Sequence, residues 1–67
     1  MKEFKIHFIE NNKLTHVFIS TVPPSVNDEI RLGGEGREIY YKVIRRIFVY
    51  DEPVNPYYRI NIEIELI

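Results

Sequence analysis

The 67 residues make one domain, spanning 1–67, and the lack of cysteine excludes disulfides and thiolate metal sites. A domain this short buries only about 60% of the surface its unfolded chain exposes, so a partner subunit is the natural source of further stability. Nine Lys and Arg against ten Asp and Glu leave a net charge of −1, which weighs against a sequence-independent nucleic-acid binder, whose affinity comes from neutralising phosphates.

The first predicted strand is Lys2–Glu10 and the second Lys13–Val22. Asn11-Asn12 between them suits a two-residue type I′ turn, because asparagine tolerates positive φ. Such a turn pairs Glu10 with Lys13, Phe8 with Thr15, Ile6 with Val17 and Phe4 with Ile19. One face then carries Phe4, Ile6, Phe8, Val17 and Ile19 as core. The other carries Ile9 beside Leu14, His7 beside His16 and Lys5 beside Phe18. That second face is too apolar for water, so Ile9, Leu14, His7, His16 and Phe18 form the expected oligomer interface. In this register the two histidines are directly opposed, with Cα atoms about 4.5 Å apart. They could fill two corners of a metal site completed by another subunit. A stacked pair at an interface is the preferred reading.

Pro23 and Pro24 cannot donate to a ladder and lie outside any central strand. Asn27-Asp28 suits a tight turn feeding a third strand, Asp28–Leu32. Gly33-Gly34-Glu35-Gly36 reads as a hairpin loop. A phosphate cradle would need a following helix, and a strand follows instead.

That fourth strand, Glu38–Tyr50, carries large apolar residues on both faces, and Arg45 interrupts the face that otherwise reads as core. Strands of this length bend at a bulge to serve both halves of a barrel, and Arg45-Arg46 is the predicted bend. The fifth strand, Tyr57–Ile67, alternates cleanly, with Tyr58, Ile60, Ile62, Ile64 and Leu66 on one side. A hairpin through Asp51–Pro56 that pairs Tyr50 with Tyr57 sets Lys42 against Glu65 and Val43 against Ile64, matching charges outside and aliphatics inside.

Five strands with no helical period between them predict an all-β fold, a small five-stranded SH3-like barrel. An OB-type barrel is the alternative, but it usually needs more residues and a helix. The stretch Val22–Tyr50 resembles the middle of small SH3-like barrels through Pro24, Asp28, Ile30, the Gly33-Gly34 turn, and Tyr41 with Val43. Asn27 stands where such barrels usually have glycine. The chain also resembles short accessory proteins of bacterial viruses and mobile elements, which implies action by binding a host component.

Chemistry-bearing residues are sparse. Asp28, Glu29, Glu35, Asp51 and Glu52 fall in turns, where carboxylates stay solvated, and no serine has an evident base. Catalysis and a cofactor are therefore not expected. Tyr40, Tyr41, Tyr50, Tyr57 and Tyr58 with Arg45, Arg46 and Arg59 form the remaining constellation. Tyrosine and arginine are enriched at binding hot spots and together can stack a base and grip a phosphate. Tyr41 and Tyr58 are read as core. Arg45, Arg46, Tyr57, Arg59 and Tyr40 are the candidate partner or ligand residues, with Arg46, Tyr57 and Arg59 favoured.

The leading expectation is a non-enzymatic binding module acting as a homo-oligomer, in the form of a phage-type inhibitor of a host defence protein. The alternatives are a nucleotide-sequestering protein with its pocket between subunits, and a nucleic-acid-binding barrel. The opening MKEFKIHFIENN lacks a signal-peptide apolar core, and no run approaches the roughly 20 apolar residues of a membrane helix. Together with the missing cysteine, this gives a cytoplasmic expectation, that of the host cell if phage-encoded.

Overall fold

The computed structural model describes residues 3–33, 36–50 and 58–67. It holds five strands: β1 Phe4–Glu10, β2 Lys13–Ser20, β3 Glu29–Leu32, β4 Ile39–Val49 and β5 Tyr58–Leu66. They form one strongly curled sheet, ordered β2-β1-β5-β4-β3, with no helix among the described residues. The fold is all-β, a half-barrel consistent with a small SH3-like barrel. Neighbours pair antiparallel except β1 and β5, which run parallel.

Local chemistry explains the turns. Asn11 and Asn12 both have positive φ, 51° and 64°, as a type I′ turn requires. Asn27, at φ 77°, takes the left-handed conformation that glycine would otherwise supply. Its amide donates to the Val43 carbonyl at 2.8 Å, and the Val43 amide donates to the Asp28 carbonyl at 2.9 Å, which extends the β3–β4 ladder beyond β3 itself.

Two bulges decide which side chains point inward. In β4 the partners step from Val43↔Ile64 to Arg45↔Glu63, leaving Ile44 as the extra residue. Lys42 and Val43 oppose Glu65 and Ile64 as the sequence pattern predicts, and the bend lies just before the predicted Arg45-Arg46. Past the bulge the alternation inverts, so Arg45 turns outward while Arg46 and Phe48 share the inner face with Ile62 and Ile60. The pairing with Tyr57 falls outside the described residues. The described ladder ends at Val49↔Arg59, one residue off the register that a Tyr50–Tyr57 pair sets.

The second bulge overturns part of the predicted hairpin. Glu10 does pair with Lys13, but the partners then step from Ile9↔Leu14 to Phe8↔His16, leaving Thr15 as the extra residue. Phe8, Ile6 and Phe4 therefore face His16, Phe18 and Ser20 rather than Thr15, Val17 and Ile19. Val17 and Ile19 leave the core for the outer face, where they are 45% and 52% exposed. His7 opposes Val17, so the two histidines lie on opposite faces and cannot share a metal. Among the described residues no group of three or more metal-ligating side chains comes together.

The core fills the concave face. Ile6, Phe8, Leu32, Tyr41, Val43, Ile60, Ile62 and Ile64 are buried there, with Phe4, Ile30 and Ile39 packed against them. The two edges of the sheet differ. β3 is four residues long and presents Glu29 and Arg31 outward. β2 is eight residues long and largely exposed. No helix among the described residues is long and apolar enough to cross a membrane.

Candidate functional site

The edge strand β2 is the first unusual surface. Val17 and Ile19 lie with Ile9 and Leu14 on the convex face, while Phe18 and His16 lie on the concave one. Leu14, Val17, Phe18 and Ile19 are all about half exposed. His16 stacks on Phe18, with ring centroids 6.1 Å apart and planes 11° off parallel, and Phe18 meets the buried Phe8 edge-on at 5.9 Å. The predicted interface residues are thus real neighbours on one edge, but the sheet divides them: Ile9, Leu14 and His7 outside, His16 and Phe18 inside. Between β2 and β3 the half-barrel stays open, leaving a cleft of about 640 Å³ floored by Ile6, Phe8, Phe18, Ile30 and Leu32.

The predicted Arg–Tyr constellation is divided in the same way. Arg45 sits on the convex face and bridges to Glu63 at 3.5 Å. Tyr40 is also convex and its hydroxyl donates to Glu38 at 3.3 Å; Glu38 in turn pairs with Arg31 at 3.6 Å. Arg59 aligns with Val49 and Lys5 on that same convex side. Of Arg45, Arg46 and Arg59 only Arg46 faces inward, so Arg46 and Arg59 cannot meet one ligand from the same side. Tyr57 lies outside the described residues. Tyr41 is core, as predicted, whereas Tyr58 is 39% exposed at the open end of the sheet.

At that end the concave face gathers a second unusual surface. Phe4, Phe48, Tyr50 and Tyr58 close a circuit of ring contacts. Phe4 meets Phe48 at 6.1 Å, Phe48 stacks parallel to Tyr50 at 6.2 Å, Tyr50 meets Tyr58 edge-on at 5.9 Å, and Tyr58 returns to Phe4 at 6.1 Å. The curl makes this possible: it brings Phe4 of β1 and Phe48 of β4 together across the intervening β5. Arg46 lies over the Phe48 ring, 5.1 Å from its centroid. Its Nε is buried and has no hydrogen-bond partner among the described residues. The sequence reading puts Phe4 in the core but does not bring Phe48 to it, because the concave set of β4 becomes readable only once Ile44 is known to be the bulge.

The far end of the concave face is different. There Tyr41 lies near Glu10, and the phenol is pushed above its ordinary value of 10.0, first by burial, then by the Glu10 charge and by a hydrogen bond to that carboxylate. Asp28 is engaged in local structure, accepting from the Ser25 amide at 2.8 Å. In comparisons with known proteins, no family model, no curated protein and no solved structure matches this chain.

Proposed function

We propose that the chain is a non-enzymatic binding module that works as a homo-oligomer joined through β2. The observation that carries this reading is an eight-residue edge strand with half-exposed apolar side chains on both of its faces. An unpaired edge offers backbone donors and acceptors to another strand, and proteins that remain single usually blunt such an edge with charge or proline. From Leu14 to Ser20 β2 has neither lysine, arginine, carboxylate nor proline.

Antiparallel self-pairing fits the side chains. With Phe18 opposite itself, Val17 faces Ile19 of a second copy and His16 faces Ser20, so apolar residues meet apolar residues on the convex side. The target in this reading is a host protein, in keeping with the resemblance to short accessory proteins of bacterial viruses and mobile elements. The test is light scattering at tens of micromolar protein, with Val17→Lys and Ile19→Lys beside the parent chain. The parent should run as a dimer or larger and both variants as folded monomers. A monomeric parent would sink the reading.

A further inference from the structure

We infer that the Arg46–Phe48–Tyr50–Tyr58 cluster binds a mononucleotide, the base stacking on the aromatic rings and the phosphate accepting from the Arg46 guanidinium. Three observations converge. Phe48, Tyr50 and Tyr58 are 39%, 73% and 39% exposed although they stand on the face that elsewhere forms the core. Buried rings would serve packing; these leave ring surface open to a flat partner. Arg46 is half-buried, rests on Phe48 and makes neither an ion pair nor a hydrogen bond from Nε among the described residues. A guanidinium held on a ring beside the exposed aromatics, with no carboxylate against it among the described residues, can grip an anion through its outer N–H groups.

The chemistry also excludes neighbouring classes. Exposed aromatic rings alone would suit a quaternary ammonium, but the Arg46 charge repels a cation. A polynucleotide would need several cations in a row. Here Arg45 and Arg59 project from the opposite face, and the net charge is −1. One arginine beside a set of stacking rings matches one phosphate attached to one base. The site lies within a single subunit, so its success or failure is separate from that of assembly through β2.

The experiment is calorimetric titration of the whole protein with AMP, GMP, CMP and UMP, followed by the nucleoside of whichever binds. At least one should bind saturably with one site per chain, and its nucleoside at least about tenfold more weakly. Arg46→Gln should reduce the nucleotide to the affinity of the nucleoside and leave the nucleoside unchanged. Tyr50→Ala, at an exposed position, should weaken both while melting stays at the parent value, and it decides the matter if Arg46→Gln fails to fold. The proposal is overturned if none of the four binds more tightly than about 1 mM, or if Arg46→Gln weakens nucleoside and nucleotide alike. It is also overturned if a single-stranded oligonucleotide binds far more tightly than the monomer with a steep salt dependence.

Discussion

The Thr15 hydroxyl donates to the Phe8 main-chain carbonyl at 3.1 Å, across the strand pair and at the step where its register changes. That bond fastens the extra residue of β2 to β1, and the step it marks carries Val17 and Ile19 out of the core. Thr15→Val removes the donor at nearly constant volume. It should cost about 0.5–1.5 kcal/mol, read as a fall in melting temperature of a few degrees. Deleting Thr15 keeps every other pair in the hairpin aligned, so the deletion variant should still fold cooperatively. Failure to fold would place the bulge elsewhere.

Truncation in the core should separate sharply from truncation on the convex face. Ile62 is fully buried and Ile6 is 2% exposed. Ile62→Ala and Ile6→Ala should each cost about 2–5 kcal/mol, a large fraction of the stability of a small domain. Val17→Ala, measured at concentrations low enough to keep subunits apart, should stay within about 0.5 kcal/mol of the parent. Urea titration of the three variants checks the inner and outer assignment directly.

Alkaline stability should depend on Tyr41. Its folded-state pKa is raised above that of the unfolded chain, so its contribution is fully present below about pH 10. It is lost as pH rises through the folded-state value, because the buried phenolate is disfavoured beside Glu10. Tyr41→Phe cannot ionise, so its melting temperature should fall less steeply than the parent's above pH 10. Parallel curves for the two proteins would contradict the placement of the hydroxyl.

Two backbone positions with positive φ should be sensitive to substitution. Asn27→Gly should be tolerated, while Asn27→Val should cost about 1–2 kcal/mol, the penalty for a left-handed β-branched residue. Gly33 has φ 148°, and a Cβ there would stand 2.7 Å from the Arg37 carbonyl oxygen, so Gly33→Ala should be destabilising as well. Thermal melts of the three variants suffice.

The strands and the asparagine turn were legible in the sequence because alternation and turn chemistry are local. The same is true of the inward row Ile60, Ile62, Ile64, and of the bend near Arg45. The bulge at Thr15 was not, since a single extra residue leaves no compositional trace and both phases of β2 present apolar residues. The parallel pairing of β1 with β5 is also invisible locally: it joins the two ends of the chain and rests on no turn. The aromatic circuit depends on the exact phase of β4 after Ile44 and on the curl that brings Phe4 to Phe48, and local alternation supplies neither. Reading Arg46 and Arg59 as companions failed for that reason, with a whole sheet standing between them.

The inequality of the two edges bears on stoichiometry. A sheet adhesive along both margins could add copies without limit and grow into a fibre. Here one margin is short and bears Glu29 and Arg31, and only the other offers a long apolar run. Isologous union through that run would use it up in both participants, so growth would terminate at the pair. Replacing Glu29 and Arg31 with valine would supply a second adhesive margin, and such a variant should pass from discrete particles to filaments as its concentration is raised.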